Sequence, residues 1–304
     1  HVTVLAKDSI GLKDIFKLVS IAHTDSMVGN GKDDNNNEAR LKREDLEKRR
    51  SHLLIGSSCL NGEIFDLALT GTQKELEEAM SFYDYIEVQA PENYKPLIDR
   101  QSIASMDDLK KILKTIIDTA LKLKIYVVAT GDTHYLHPKD KQFRDVYIQA
   151  KAVGSSRHPL YIYNEEKRKS TSAPNQHFRT TEEMLEAFSF IDPSIAAHLV
   201  IHTPRLILNQ IETLKPVKKD LYTPQIEGAD DKLRAEVYKN AVFKYGENLP
   251  KIVSDRIEKE LNSITKHGFG VIYYIAHLLV KKSLEDGYMV GSRGSVGSSL
   301  VATL

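Results

Sequence analysis

The sequence contains no tryptophan, a single cysteine, and no excess of charge of either sign across its 304 residues. One cysteine excludes an intrachain disulfide, which is typical of reducing compartments and predicts a cytoplasmic location. A net charge of zero argues mildly against a dedicated nucleic-acid binder, although a local basic groove is compatible with it. The sequence has no uninterrupted run of eighteen apolar residues, so we predict neither a transmembrane helix nor a membrane partner.

The first half of the chain alternates short apolar runs with helix-length segments. The runs HVTVL, HLLIG, YIEVQ and IYVVAT each precede a stretch with helical periodicity, of which MDDLKKILKTIIDTALKLK is the longest. This alternation predicts an α/β fold with parallel strands, either open or closed as a barrel. In such folds functional groups gather where the strands end.

Two polar stretches, residues 29–45 and 164–177, interrupt the pattern and predict surface loops, the first of them mobile. Directly after the second, Thr180 and Glu183 have the spacing of a capping box and predict the start of a helix.

Beyond about residue 213 the alternation of strand-like and helix-like segments ends. A stretch with two prolines reads as an extended linker, and helices are predicted at 231–245 and 252–266, followed by a strongly apolar helix. We therefore expect a boundary near residue 212, with domains 1–212 and 213–304. The chain does not begin with methionine, so we expect it to be part of a longer protein.

Four residues beside the predicted strands are candidate metal ligands. Asp132 and His134 follow IYVVAT two positions apart, and alternate residues of an extended chain point to the same side. A carboxylate and an imidazole suit zinc or manganese. Cys59 follows a second strand, and its thiolate is also a zinc ligand. His1 stands at the head of the first strand. Taken singly, the Asp–His pair is better explained by an ordinary turn, and the cysteine by a small core residue.

The sequence GYMVGSRGSVGSSLVATL places a glycine- and serine-rich loop between an apolar run, YMV, predicted as a strand, and a predicted helix start. Glycines let backbone N–H groups converge on an anion, a following helix N-terminus favours negative charge, and arginine adds two donors. The spacing is neither that of a Walker loop nor that of a dinucleotide fingerprint, and the alternative is a flexible linker. The candidate nucleotide-binding residues are Gly291, Ser292, Arg293, Gly294, Ser295, Gly297 and Ser298.

Several segments together resemble a known family, the bacterial replicative DNA polymerase III of the PolC type. They are HVTVLAKDSIGLKDIFKLVSIAH, LLIGSSCLNGEIFD, VVATGDTHYLHPKDKQFRDVYI, FRTTEEMLEAF, DLYTPQIEGAD and the closing stretch from GFGVIYY to the end. The resemblance covers nearly the whole chain in order. It departs at residues 26–42, where the family usually has an aromatic, proline-containing segment.

The resemblance implies a fold and a set of sites. The expected fold is α/β: a partial, distorted β/α barrel of the polymerase-and-histidinol-phosphatase (PHP) type, followed by the mostly helical start of a polymerase palm. His1, Cys59, Asp132 and His134 match four of nine PHP metal positions, which hold Zn²⁺ or Mn²⁺, and the glycine-rich residues match the site for the triphosphate of the incoming nucleotide. The remaining PHP ligands and an inserted exonuclease are expected upstream. The catalytic aspartates that bind Mg²⁺ are expected downstream, so this segment alone should not polymerise.

The resemblance also implies partners: primer–template DNA, dNTP, the sliding clamp and other replisome subunits. Two alternative functions stay open. One is a metal-dependent phosphoesterase of the PHP type with the C-terminal part as an accessory, and the other is a metal-stabilised scaffold domain that braces the palm without catalysis.

Overall fold

A computed structural model describes residues 1–29, 38–150, 157–158, 160–171, 173–217, 219, 222–291 and 294–304. The chain divides into two compact units, His1–Pro216 and Val217–Leu304. The strands, all in the first unit, are β1 (Thr3–Ala6), β2 (Met27–Val28), β3 (Glu38–Ala39), β4 (Leu53–Gly56), β5 (Tyr85–Gln89) and β6 (Tyr126–Thr130). Its helices are α1 (Ser9–Thr24), α2 (Arg43–Glu47), α3 (Glu63–Thr70), α4 (Gln73–Met80), α5 (Lys95–Asp99), α6 (Met106–Lys122), α7 (Lys141–Gln149), α8 (Glu165–Ser170), α9 (Thr181–Ala187), α10 (Pro193–Ala197) and α11 (Thr203–Leu208). The second unit contains α12 (Ala229–Tyr245), α13 (Lys251–Lys266), α14 (Gly270–Glu285) and α15 (Leu300–Thr303).

The main sheet of the first unit has four strands in the order β1-β4-β5-β6. The prediction of an α/β fold is confirmed, whereas the prediction of parallel strands throughout is wrong. β4, β5 and β6 are parallel, but β1 is antiparallel to β4, with Thr3 opposite Gly56. Strand direction could not be read from alternation, because the segment between β1 and β4 holds α1, a short hairpin and α2 rather than one crossover helix. Among the described residues the sheet stays open.

The core of the first unit forms where α6 packs against the parallel strands. α6 has its apolar residues at helical spacing, and Leu109, Leu113 and Ile117 are completely buried. They belong to one cluster with Ile86 and Val88 of β5. Burial of this stripe positions the carboxyl ends of the strands and the turns that follow them.

α1 begins at a tight junction with the chain before β4. The Asp8 carboxylate caps the helix by accepting hydrogen bonds from the N–H groups of Ile10 and Gly11, both at 2.9 Å. The same carboxylate lies 2.6 Å from Nδ1 of His52. Gly11 faces the backbone carbonyl of His52 so closely that a β-carbon would overlap it. The glycine is therefore required by a close approach of two backbones.

We expect Gly11→Ala to destabilise the chain by about 1–3 kcal/mol, the usual cost of overpacking. In an unconstrained helix the same change would stabilise by roughly 1 kcal/mol, so the sign of the effect tests the junction. Urea unfolding followed by circular dichroism measures it, with Ser20→Ala on the exposed side of α1 as the control. A Gly11→Ala chain at least as stable as the parent would contradict the close approach.

The two polar stretches contain more structure than predicted. Residues 30–37 of the first lie outside the described residues, but β2 and β3 on either side pair with each other, and α2 follows. α8 lies in the second stretch. The predicted capping box is confirmed: the Glu183 N–H donates to the Thr180 hydroxyl at 3.3 Å, and the Thr180 N–H donates to the Glu183 carboxylate at 2.8 Å.

The second unit is helical, and its core joins α12, α13 and α15 through a cluster that includes Leu233, Ile257, Leu261 and Val301. The strand predicted at Tyr288–Val290 is wrong, since these residues form no strand. They follow α14 at a turn in which the Tyr288 N–H donates to the carbonyl of Ser283 at 2.9 Å, and the Met289 side chain is 99% exposed. None of the helices in the described ranges has both the length and the apolarity required to cross a bilayer.

Candidate functional site

The predicted metal ligands of the first unit lie at one edge of the main sheet. β4, β5 and β6 run parallel, so their carboxyl ends share an edge, where Cys59 follows β4 and Asp132 follows β6. Because β1 is antiparallel, its amino end lies beside the carboxyl end of β4. The reversal of this strand is therefore what brings His1 to the edge.

The first pair of candidate ligands is in contact. The Nδ1 atom of His1 lies 3.3 Å from the Sγ atom of Cys59. Ser58, immediately before the cysteine, has a φ of +62°, a left-handed conformation that is uncommon for a residue other than glycine. Such strain is frequent where a turn presents a functional side chain.

The second pair is also in contact. The Nε2 atom of His134 lies 3.3 Å from Oδ1 of Asp132, and Asp132 itself has a φ of +46°. Gln176 fixes both residues: its side-chain amide donates to Oδ2 of Asp132 at 2.8 Å, and its backbone carbonyl accepts from the His134 N–H at 2.9 Å. No sequence pattern pointed to Gln176, because it lies 44 positions from Asp132 and belongs to no motif with it.

A buried tyrosine, Tyr94, lies against the end of β5. Burial raises the pKa of the Tyr94 hydroxyl, and a hydrogen bond from the Gln89 N–H opposes that shift. The negative charges of Glu87 and Asp132 raise the same pKa further. The Oε1 atom of Glu87 is buried and has no hydrogen-bond partner among the described residues, so it remains able to accept.

The donor types at this edge fit a metal ion, whereas their number falls short. Thiolate, imidazole and carboxylate are the groups that bind zinc or manganese. Each pair offers two ligands, and a zinc site uses three or four from the protein. Within the described ranges no three His, Cys, Asp or Glu residues are grouped so as to hold a metal. The structure therefore brings the four predicted residues to one edge as two pairs.

In the second unit, residues 291–299 form the glycine–serine loop. Ser292 and Arg293 lie outside the described residues. Gly294 to Ser298 form a single 3₁₀ turn, and Gly294 has a φ of +75°, where glycine is favoured. Gly291 borders a cavity of about 800 Å³ between α12, α14 and α15. This volume lies within the range of small-molecule sites.

Backbone N–H groups at the start of α15, just after the loop, already donate hydrogen bonds to side chains. The Ser299 hydroxyl accepts from the Ala302 N–H at 3.2 Å and donates to the Glu260 carboxylate at 2.8 Å. The same carboxylate accepts from the Val301 N–H at 2.9 Å. A protein carboxylate therefore accepts from the first turn of α15, and the expectation that this helix N-terminus assists an anion stays a prediction.

The Glu260 carboxylate is ionised in this position. Burial raises its pKa, but hydrogen bonds from the Val301 N–H, Ser299 and Arg256 outweigh the burial effect and lower the pKa below its usual range. Sequence analysis missed this residue, because 39 positions separate it from Ser299. The nearest available signal was its place on the predicted helix at 252–266.

Comparison with known proteins covers both units. Residues 231–304 match the family described as the bacterial DNA polymerase III alpha NTPase domain. The whole chain is 46% identical to the DNA polymerase III PolC-type of Bacillus subtilis (strain 168), 43% identical to that of Oceanobacillus iheyensis and 44% identical to that of Bacillus cereus. The chain is similar throughout to one segment of PolC-type DNA polymerase III. This confirms the resemblance drawn from the motifs.

The match extends over 100% of this chain but only 20% of each of these relatives. The chain thus spans about a fifth of the length of the PolC-type proteins it resembles. The glycine–serine loop falls inside the part matched by the NTPase-domain family, whereas the two ligand pairs lie outside it and are covered by the PolC-type relatives alone.

Proposed function

We propose that this chain is part of a replicative DNA polymerase, which transfers a nucleotidyl group from dNTP to the 3′ hydroxyl of a primer. The observation that carries the proposal is the end-to-end identity of 41–46% with PolC-type DNA polymerase III. Primer–template DNA and dNTP are the proposed substrates. The sliding clamp and other replisome subunits are the proposed partners of the full-length protein, and the cytoplasm is its proposed location.

The glycine–serine loop is the proposed site for the triphosphate. Its backbone N–H groups and serine hydroxyls would bind phosphate oxygens, and the Arg293 guanidinium would donate two hydrogen bonds to them. The left-handed φ of Gly294 supports this role. Mg²⁺ would supply charge neutralisation in the intact enzyme, through aspartates that we expect outside this segment.

We propose further that the first unit is the later part of a PHP domain and that the second is the start of the palm. The first unit would contribute part of a distorted β/α barrel, for which the three parallel strands provide support. His1, Cys59, Asp132 and His134 would hold Zn²⁺ or Mn²⁺ together with ligands from elsewhere in the longer protein. The two contacting pairs at one sheet edge support this assignment.

Primer extension by the full-length protein tests the proposed polymerase. We expect dNTP-dependent elongation of a primed template, and we expect Gly294→Ala to lower kcat/KM for dNTP by roughly 5- to 30-fold. An alanine at a left-handed position costs about 1–2 kcal/mol, and the loop would change its backbone to avoid that cost. Lys259→Ala, on the exposed side of α13, is the control. A folded full-length protein that does not elongate primers would disprove the proposal.

A further inference from the structure

The end of the glycine–serine loop is hydrogen-bonded to α13 through the side chain of Glu260. Glu260 projects from the third turn of α13, and one carboxylate oxygen, Oε2, accepts from both the Ser299 hydroxyl and the Val301 N–H, at 2.8 and 2.9 Å. The second oxygen, Oε1, accepts from Nε of Arg256, one helical turn earlier. The Glu260 side chain is only 13% exposed.

This arrangement has a mechanical consequence for the loop. Ile257 and Leu261 anchor α13 in the core of the second unit, so the backbone that carries Glu260 is held firmly. Arg256 fixes the rotamer of the carboxylate from the other side. The last loop residue and the first turn of α15 are consequently held at a defined position against a packed helix.

We propose that Glu260 is a positioning residue for nucleotide binding, which fixes the C-terminal end of the glycine–serine loop so that the loop is organised before dNTP arrives. The inference rests on the proposed function of that loop. Glu260 itself would not touch the nucleotide, because both of its oxygens are engaged by protein donors. Its negative charge, placed next to a phosphate site, would be unfavourable for direct binding, so the proposed role acts through the loop.

The chain offers a matched control two residues away. Glu258 lies on the same helix, and its carboxylate also accepts from an arginine and a hydroxyl, those of Arg234 and Tyr238. Both partners belong to α12, and among the described residues neither of these hydrogen bonds reaches the loop. Removing either carboxylate therefore deletes hydrogen bonds from an arginine and a hydroxyl, but Glu260 also accepts from the Val301 N–H and contacts the last residue of the loop.

The test compares full-length polymerases that carry Glu260→Ala, Glu260→Gln or Glu258→Ala in steady-state primer extension at varied dNTP. We expect Glu260→Ala to raise the KM for dNTP by roughly 10-fold or more, as for loss of hydrogen bonds to a charged group, with kcat within about 3-fold of the parent. Glu260→Gln keeps an acceptor oxygen and should recover much of the loss. Glu258→Ala should leave the KM for dNTP unchanged, and none of the variants should change the affinity for primer–template.

Melting curves establish that each variant is folded. If Glu260→Ala does not fold, Ser299→Ala takes its place, because it removes the loop side of the same contact and should raise the KM for dNTP as well. An equal KM in the Glu260 and Glu258 variants would overturn the inference, and so would a glutamine variant no better than alanine.

Arg293→Ala, measured alongside, separates the two proposals. If Arg293→Ala raises the KM for dNTP and Glu260→Ala does not, only the positioning role fails. If neither substitution changes it, the loop is not the nucleotide site, and its proposed function fails as well.

Discussion

Replacing Arg293 with alanine in the full-length polymerase is expected to raise the KM for dNTP by roughly 10- to 150-fold. A hydrogen bond to a charged group contributes about 1.5–3 kcal/mol, and that range converts to this change in affinity at about 1.4 kcal/mol for each factor of ten. The arginine carries the only full positive charge in the glycine–serine loop. The Val301 N–H in the first turn of α15 already donates to Glu260, so this donor is not free for a phosphate.

Two further variants define the nature of this contact. Arg293→Lys keeps the charge but loses the planar pair of donors, so its KM should lie between those of the parent and the alanine variant. Arg234→Ala removes an arginine that is paired with Glu258 in the same unit, and its KM for dNTP should equal that of the parent. Unchanged KM and kcat in Arg293→Ala would remove the loop from the nucleotide site.

Local sequence signals predicted a helix correctly where the interactions that stabilise it lie within one short segment. α6 was predicted from its apolar periodicity, and α9 from the reciprocal hydrogen bonds of Thr180 and Glu183. α3 was missed because it is only eight residues long and lies between a small-residue turn and the stronger signal of α4. The run at 288–290 has the composition of a strand, but strands need a neighbour, and the turn after α14 leaves Met289 in solvent.

Contacts between distant positions could not be predicted from patterns. The direction of β1 depends on how the chain returns through 46 residues before β4, and this direction alone determines whether His1 reaches the edge where Cys59 lies. Gln176 contacts the predicted ligand Asp132 from 44 positions away. Glu260 contacts Ser299, the neighbour of the predicted loop residue Ser298, from 39 positions away. Sequence analysis could name the donors, whereas only the packed structure identifies the residues that orient them.

The proposed PHP metal site predicts the second large effect. In the full-length protein, Asp132→Ala or His134→Ala should weaken Zn²⁺ binding roughly 100-fold or more. Apparent zinc binding energies of about 10–16 kcal/mol are distributed over about four ligands, so the loss of one costs several kcal/mol. Metal analysis after dialysis against a weak chelator should find bound metal in the parent and little in either variant.

The short turn that precedes α7 provides a control for this experiment. His137 and Asp140 also form a histidine–aspartate pair, in which the His137 N–H donates to the Asp140 carboxylate at 3.1 Å. Because this pair belongs to the turn that precedes α7, away from the strand end, His137→Ala should retain the metal of the parent. Full metal content in the Asp132 and His134 variants would show that the edge of the sheet does not bind it.

The same variants decide what such a metal does. If the first unit is a scaffold, chelation and His134→Ala should both lower the melting temperature, and neither the parent nor the variants should hydrolyse a generic phosphoester. If it is a phosphoesterase, the parent should hydrolyse the ester, and this activity should disappear with the metal while primer extension continues. Gln176 and the two left-handed turns hold the ligands in fixed pairs, which both roles require. Hydrolysis that is lost in His134→Ala and retained in His137→Ala would therefore establish the phosphoesterase.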